Sequence, residues 1–307
     1  MPDIVDDKSE QCIRFLLDCL DAHRKQHAGD DAPPPPFFLG LNGVQGSGKS
    51  TLVSLLKNKL ESEPHNLSTA ILSIDDFYLP HSAQQALAAS HPQNPLVQHR
   101  GQPSTHDISL LKSTFNSLKT RHPVALPCYD KSAFAGQGDR TPETTWTRVN
   151  GPDQRSIDII IFEGWCVGFR SLSAVQLESK WSAAVGANMK PAYAGRLGKL
   201  ELESVTLVNE ALRQYDEVTD MLDAFVLIDA EDTQYVYAWR LEQEAALRRE
   251  RGSGMTDEQV VSFVNGYYPA YELYTEALRR GIFPGVEGRQ LVFELGKDRR
   301  VKDVKKI

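Results

Sequence analysis

Short apolar segments alternate with amphipathic ones along most of the chain. The segments that are apolar and short enough to be buried strands are residues 37–42, 70–75, 157–163, 225–229 and 291–295. Residues 51–61 and 104–122 lie between such segments and carry apolar side chains at helical spacing. Buried strands that alternate with amphipathic helices are typical of a mostly parallel sheet with helices on both faces. The pattern therefore predicts an α/β fold with five strands.

The two ends of the chain predict further helices. Residues 4–27 have apolar side chains at helical spacing, and Asp30-Asp31-Ala32 with four following prolines predicts a stiff linker. Residues 235–251 predict a charged helix, and Thr256 with Gln259 predicts a capping box that opens another one. We therefore divide the chain into an N-terminal helix with its linker, 1–36, and one domain, 37–307. The first helix either packs on that domain or engages a partner.

Composition and charge exclude several classes of protein. The chain has 34 basic and 41 acidic residues, and its net charge of −7 argues against nucleic acid as the main partner. Its longest apolar stretches are far shorter than the roughly 20 residues of a membrane-spanning helix, so no membrane partner is expected. The acidic N-terminus fits neither a secretion signal nor a transit peptide. We expect a cytoplasmic protein, with the nucleus as an alternative.

One motif lies between the first predicted strand and the helix after it. Gly43-Val44-Gln45-Gly46-Ser47-Gly48-Lys49-Ser50 matches G-x-x-x-x-G-K-[ST] at every constrained position. Its glycines let backbone N–H groups turn toward phosphate oxygens, and the following helix adds its positive end. Lys49 is predicted to reach the β and γ phosphates, and Ser50 to offer its hydroxyl to Mg²⁺. The predicted nucleotide-binding residues are Gly43, Gln45, Gly46, Ser47, Gly48, Lys49, Ser50 and Thr51.

Carboxylates follow two of the other predicted strands. Residues 157–163 end in Glu163, the pattern of a Walker B strand with Glu in the usual Asp place, which predicts a Mg²⁺-site carboxylate. The alternative is an ordinary acid at a strand end. Asp75 and Asp76 end another strand, where a carboxylate can accept the proton of an attacking hydroxyl. Because successive strand side chains alternate, one of these two acids is expected to face away.

The motifs that are absent narrow the class of nucleotide-binding protein. Asn58-Lys59-Leu60-Glu61 ends in the wrong acid for the guanine-reading N-K-x-D motif of GTPases, and no L-S-G-G-Q of transport ATPases occurs. A small-molecule kinase remains. The alternative from a different class is a nucleotide-binding regulator that transfers no phosphoryl group to a metabolite.

Several longer runs carry a family resemblance. The Asp-x-Phe-Tyr after the second strand and the Phe-Glu-Gly at the Walker B strand resemble the superfamily of phosphoribulokinase, uridine kinase and pantothenate kinase. Plant-type D-glycerate 3-kinases and their fungal relatives are similar over residues 37–295, through these runs: Arg100-Gly101 with His106-Asp107, Tyr129 to Phe134, Gly138-Asp139-Arg140, Phe162 to Trp165, Trp239 to Glu244 and Gly254 to Glu258. The sequence differs from the plant pattern at Gln137, where the plant enzymes carry a basic residue.

The resemblance implies a P-loop kinase fold, a five-stranded mostly parallel sheet with a helical lid at about 235–256, and ATP and Mg²⁺ as cosubstrate and cofactor. It also implies roles for three side chains: Asp75 is the catalytic base, Glu163 lies at the metal site, and Arg240 neutralises the transferred phosphoryl. Acceptor-binding loops are expected at about 79–107 and 128–156. A small-molecule acceptor such as glycerate needs fixed cations for its carboxylate.

The acceptor is less narrowly predicted than the nucleotide. The candidate acceptor-binding residues are Arg100, His106, Tyr129, Lys131 and Arg140, and the alternative reading of each is a solvated loop side chain. Besides glycerate, a nucleoside, a pantothenate-like alcohol and a sugar stay open as acceptors. The sequence leaves the oligomeric state open as well.

Overall fold

The computed structural model describes residues 5–29, 33–252 and 254–307. Three of the sequence-based predictions fall partly outside these residues. They are the start of the opening helix at residue 4, the linker residues 30–32 and residue 253 in the lid region.

The central sheet has six strands in the order β10-β9-β8-β1-β7-β2. The five predicted strands are confirmed and run parallel, while β10 pairs antiparallel with β9 at the edge. Four short strands form two separate ribbons, β3 with β6 and β4 with β5. The strands are β1 Phe37–Gly43, β2 Thr69–Ser73, β3 Val124–Leu126, β4 Tyr129–Asp130, β5 Asp139–Arg140, β6 Thr147–Val149, β7 Ile159–Gly164, β8 Ala224–Ala230, β9 Gln290–Leu295 and β10 Val301–Lys306.

The helices cover both faces of this sheet. They are α1 Ser9–Gln26, α2 Lys49–Glu61, α3 His81–Ser90, α4 Ile108–Lys119, α5 Ala174–Asn188, α6 Leu202–Leu212, α7 Asp216–Thr219, α8 Tyr235–Arg251 and α9 Asp257–Arg280. Short 3₁₀ helices span Ile74–Phe77, Phe134–Gly136, Glu143–Thr145, Leu197–Lys199 and Arg213–Tyr215. No helix within the described residues is both long and apolar enough to cross a membrane.

Three predicted boundaries differ from the structure. The helix predicted at 104–122 begins at Ile108, because the Asp107 side chain caps it by accepting from the Leu110 N–H, and it ends at Lys119. The stretch at about 79–107, expected to form an acceptor-binding loop, contains α3, whose one buried side chain is Gln84, so it has no apolar stripe to reveal it. The strand predicted at 70–75 ends at Ser73 and continues as the 3₁₀ turn Ile74–Phe77.

Helix α1 packs on the sheet instead of extending from it. Cys12, Phe15, Leu16 and Leu20 are buried in the common core. At its C-terminal end, the His23 ring lies 3.2 Å from Asp223, the residue whose other carboxylate oxygen accepts from the Phe38 N–H in β1. Of the two possibilities for this helix, the structure places it against the domain.

Helix α9 begins with the predicted capping box. The Thr256 hydroxyl accepts from the Gln259 N–H, and the Gln259 side chain accepts from the Thr256 N–H. Aromatic side chains on one face of this helix are buried, with Tyr267, Tyr271 and Tyr274 in the core. Trp165, which follows β7, packs edge-on against Tyr267 and Tyr271. The helix therefore stabilises the end of the sheet at which the acidic strand ends lie.

Candidate active site

The loop between β1 and α2 has a backbone that only glycine allows at two points. Gly46 has φ +79° and Gly48 has φ +94°, both in the left-handed region. A Cβ on Gly46 would lie 2.7 Å from the Cβ of Trp239 in α8. Gly46 is therefore required for its backbone angle and for its contact with α8.

Polar groups in this loop lack partners of their own. The buried Gln45 Oε1 and Ser47 Oγ have no hydrogen-bond partner in the part of the chain that the structure describes. Helix α2 begins after Gly48, which has no side chain to cap the first amides, and Ser50 and Thr51 form its first turn. Uncapped amides at a helix N-terminus are suited to bind an anion.

Lys49 turns back onto the same loop. Its Nζ donates to the carbonyl oxygens of Gly43 at 2.7 Å and Val44 at 3.2 Å. Burial lowers the pKa of Lys49, and the carboxylates of Glu163 and Asp75 oppose that shift. The ammonium thus lies within the field of both predicted acids.

Adjacent parallel strands bring the predicted acids together. Ser73 in β2 lies opposite Glu163 in β7, and Asp75 follows two residues after Ser73. Burial raises the pKa of Glu163, while Lys49 acts in the opposite direction. One group of interacting charges therefore lies where β1, β2 and β7 end, with Lys131 reaching it from the loop after β4. We call Lys49, Asp75, Lys131 and Glu163 the charge cluster.

Asp75 and Asp76 face different surroundings, as expected, but because of the 3₁₀ turn and not because of strand alternation. Asp75 Oδ2 lies 2.5 Å from Lys131 Nζ. Burial acts to raise the pKa of Asp75, yet Lys131 and smaller contributions from other neighbours outweigh it and the pKa is lowered. Asp76 instead accepts from the Tyr129 N–H at 3.2 Å, and burial raises its pKa to about 6.

Two of the predicted acceptor-binding arginines donate to the protein itself. Arg100 donates to the carbonyl oxygens of Gly136, at 2.7 Å, and of Gln137, and lies over the Tyr129 ring. Arg140 donates to Asp107 at 3.1 Å and to the Tyr78 carbonyl oxygen at 2.9 Å. Both side chains therefore hold the loop that carries Lys131 and its neighbours.

His106 is buried beside the turn that carries Asp75. Its ring stacks on Tyr78 with centroids 4.5 Å apart, and its Nδ1 lies 2.7 Å from the Tyr215 hydroxyl. Burial lowers the pKa of His106 to about 4, so the ring is neutral at physiological pH.

Arg240 makes its contacts within the two C-terminal helices. Its guanidinium lies 2.8 Å from Glu244 in α8 and over the Phe263 ring of α9, 5.4 Å from the ring centroid. Its neighbour Trp239 is the residue that packs on Gly46. Of the predicted catalytic residues, Lys49 and Asp75 belong to the charge cluster, whereas Arg240 is paired elsewhere.

Arg299, which belongs to no motif in the sequence, lies in the turn between β9 and β10. Its Nε donates to the Gly46 carbonyl oxygen at 2.8 Å, and its guanidinium lies 2.6 Å from Glu242 and over the Trp239 ring. The turn is rich in charge and 253 residues distant from Gly46 in the chain, so its sequence reads as a solvated loop. Arg299 links the P-loop to α8.

Comparisons with known proteins agree with this arrangement. A scan of protein-family models found none that matches the chain. An uncharacterized kinase of Schizosaccharomyces pombe, mug58, is 40% identical over 245 residues, 79% of this chain and 82% of that protein. The structure of a D-glycerate 3-kinase from Cryptococcus neoformans has a TM-score of 0.86 at 36% identity, covering 97% of this chain and 99% of the other. The chain belongs to the D-glycerate 3-kinase family of P-loop kinases.

A third relative extends the comparison beyond fungi. The chloroplastic D-glycerate 3-kinase of Arabidopsis thaliana is 36% identical over 255 residues, which cover 81% of this chain and 50% of the plant protein. As a member of this family, the chain is an ATP-dependent kinase with a small-molecule acceptor. The resemblance noted in the sequence and the predicted P-loop kinase fold are confirmed.

Proposed function

We propose that the acceptor is D-glycerate and that its 3-hydroxyl receives the γ-phosphoryl group of ATP. The observation that carries this proposal is the ion pair between Asp75 and Lys131, 2.5 Å apart, beside Lys49 of the P-loop. A carboxylate at that position can take a proton from an alcohol, and the ammonium beside it suits an anionic acceptor. Relatives named D-glycerate 3-kinase match over most of this chain and support the choice of acceptor.

The nucleotide is assigned to the loop and the first turn of α2. Backbone N–H groups of Gly43 to Thr51 would hold the phosphates, and the unpartnered Ser47 hydroxyl would supply a further donor. Lys49 would exchange its two carbonyl partners for β- and γ-phosphate oxygens. Because its ammonium interacts electrostatically with both Glu163 and Asp75, the γ-phosphoryl would be held at the charge cluster.

The oxygen atoms near the P-loop are ligands of the kind that Mg²⁺ takes. Ser50 offers a hydroxyl and Glu163 a half-buried carboxylate, and Mg²⁺ takes oxygen ligands while keeping several waters. Ser50 and Glu163 would hold the ion, and the charge on Mg²⁺ would neutralise phosphate oxygens. The raised pKa of Glu163 is the response of a buried carboxylate to loss of water, which a cation beside it would reverse.

Asp75 is assigned as the base. Its lowered pKa keeps it ionised at physiological pH, so it can accept the proton of the 3-hydroxyl as that oxygen bonds to the γ-phosphorus and the bond to the β-phosphate oxygen breaks. Lys131 would then lie beside the acceptor carboxylate or the transferred group. In this proposal Arg100, Tyr129 and Arg140 shape the pocket. The two arginines donate to backbone carbonyl oxygens, and Arg100 also packs on the Tyr129 ring.

Arg240 is proposed to act on the transferred phosphoryl group after leaving Glu244. Its present partner is a carboxylate that is almost fully buried and 2.8 Å away. A phosphoryl group carries more charge than that carboxylate and forms bidentate contacts with arginine, so it competes for the same donors.

A panel of acceptors tests the proposal. ADP release is measured with D-glycerate, L-glycerate, uridine, pantothenate and glucose, and the product is identified by phosphorus NMR. D-glycerate with phosphate on its 3-oxygen is the expected product, and Asp75→Asn serves as the inactive control. Turnover of a different acceptor, and not of glycerate, would show that the proposed acceptor is wrong. ATP binding without any transfer would favour a nucleotide-binding regulator.

A further inference from the structure

The backbone around His106 is held against the turn that carries Asp75. Tyr78 and His106 form an isolated antiparallel bridge. On either side of it, the Leu79 N–H donates to the Thr105 oxygen at 2.9 Å and the Asp107 N–H donates to the Phe77 oxygen at 2.7 Å. The His106 ring therefore has a fixed position relative to Asp75.

Tyr215 decides which ring nitrogen of His106 carries the proton. Burial raises the pKa of Tyr215 well above its usual value, so the phenol keeps its proton, and a hydrogen bond from the backbone of Ser104 acts on the phenol oxygen. Within the described residues, the acceptor at hydrogen-bond distance from that hydroxyl is His106 Nδ1, at 2.7 Å. If Nδ1 carried the proton instead, the buried Tyr215 proton would lack an acceptor. The Tyr215 hydroxyl therefore donates to Nδ1, and Nε2 carries the hydrogen.

The other ring nitrogen is left without a partner. His106 is 3% exposed, and its Nε2 has no hydrogen-bond partner in the described part of the chain. Asp75 is the charged group whose field acts on the ring. Ser104, whose backbone acts on the Tyr215 hydroxyl, has φ +93°, a strained angle for a residue with a side chain. A buried N–H without a partner, close to the predicted base, is available to donate to an oxygen of a bound ligand.

We propose that Tyr215 is a positioning residue that holds His106 as the neutral Nε2–H tautomer, and that this N–H donates to an oxygen on the acceptor carbon next to the reacting hydroxyl. The inference rests on the proposed function, because it assumes that Asp75 faces the hydroxyl that is phosphorylated. It deepens that function by assigning the acceptor class. The acceptor is an alcohol with a second oxygen on the neighbouring carbon, such as a 1,2-diol or a 2,3-dihydroxy acid.

A direct test measures the tautomer without any acceptor. Nitrogen-15 NMR of the histidine-labelled protein distinguishes a protonated from an unprotonated ring nitrogen, and the signals missing from His106→Asn assign His106. Wild type is expected to show Nε2–H alone, and Tyr215→Phe, which keeps the ring, is expected to show both tautomers. A wild-type spectrum with the proton on Nδ1, or with both nitrogens protonated, would overturn the inference.

A second test compares two variants with two acceptors. In His106→Gln the side-chain amide reaches the place of Nε2, whereas in His106→Asn it reaches only the place of Nδ1. Only the Gln variant therefore keeps an N–H donor at the position of Nε2. Wild type is expected to prefer D-glycerate over 3-hydroxypropionate, which lacks the 2-hydroxyl, by about tenfold to a hundredfold in kcat/KM. His106→Gln should keep part of this preference and His106→Asn should lose it, with the KM for ATP unchanged in both.

The two tests separate this inference from the choice of glycerate. If the panel identifies another acceptor, the same comparison uses that acceptor and its analogue without the neighbouring oxygen. A wild-type enzyme that uses both members of the pair equally well would overturn the inference. So would an equal effect of the Gln and Asn variants on the preference.

Discussion

Lys131 Nζ lies 2.5 Å from Asp75 Oδ2, and this contact joins two parts of the chain that are 56 residues apart. Asp75 lies on the turn after β2, and Lys131 lies on the loop after β4. Burial alone would raise the pKa of Asp75, but the ammonium keeps it lowered. The loop that is predicted to bind the acceptor thus also sets the charge of the predicted base.

Removal of Lys131 should move the pH dependence of the reaction. In Lys131→Met, the main opposition to burial is removed, so the pKa of Asp75 rises and a larger share of it is protonated in mild acid. The acidic limb of the kcat/KM profile should therefore shift to higher pH, measured by ADP release between pH 5 and 8. Lys112→Met, which removes the 2.6 Å surface pair with Glu217, is the matched control and should leave the profile unchanged. If the acidic limb of the Lys131→Met profile did not shift, Lys131 would not control the pKa of the catalytic base.

Asp75→Asn should stop phosphoryl transfer while ATP still binds. A positioned base contributes about 10²- to 10⁴-fold, so kcat should fall by about that factor, and the Kd for ATP should change little because Asp75 is proposed to contact the acceptor side. Lys49→Ala should lose both binding and transfer, because the ammonium is proposed to hold phosphate oxygens. Calorimetric titration and a kinase assay measure the two quantities.

Asp76→Asn is the matched control for Asp75→Asn. It makes the same chemical change one residue along, at a side chain that accepts from the Tyr129 N–H instead of pairing with Lys131. It should keep most of the activity. Retained turnover in Asp75→Asn, or equal losses in both variants, would remove Asp75 from its proposed role.

Local patterns in the sequence were enough to predict the parallel strands and the loop to which nucleotide binding is assigned. A buried parallel strand is a run of apolar residues, and the P-loop is set by glycines and a lysine next to each other in the chain. Strand β10 was missed because its side chains are largely exposed and its sequence, Val-Lys-Asp-Val-Lys-Lys, is that of a charged edge strand. Helix α5 was missed for a related reason, since Leu177 is its one buried side chain.

The acceptor side depends on contacts between distant residues, and sequence reasoning could not order its candidates. Arg100, Lys131 and Arg140 are equivalent as cations on loops. The structure distinguishes them, because the two arginines donate to carbonyl oxygens and to Asp107 while Lys131 meets Asp75. The same limit explains why Tyr215, 109 residues from His106, carried no signal in the sequence.

Gly46→Ala should weaken ATP binding and lower stability more than its backbone angle alone explains. The added Cβ would lie 2.7 Å from the Trp239 Cβ, so the loop or α8 has to move. Gly252→Ala is the matched control, because Gly252 has a similar φ of +74° and, apart from its chain neighbours, no described residue has an atom within 4 Å of an added Cβ. We expect the control to lose about 1 kcal/mol of unfolding free energy and Gly46→Ala about 2 to 4 kcal/mol. Urea unfolding and ATP titration test this, and equal losses would contradict the proposed contact.

Asp76→Asn should stabilise the protein above pH 6. Burial raises the pKa of Asp76 from 3.8 to about 6, and the charge of Asp75 adds to that shift. Because the folded-state pKa is the higher one, the stability associated with protonated Asp76 is complete below about pH 4 and is lost as pH rises through 6. Asn mimics the protonated acid and can still accept from the Tyr129 N–H, so it does not incur this loss. The unfolding free energy of the variant should exceed that of wild type by about 1 to 3 kcal/mol at pH 7.5 and by about a third of that at pH 4.5, measured by urea titration at both values. A difference that is the same at both pH values would show that Asp76 is not protonated preferentially in the folded state.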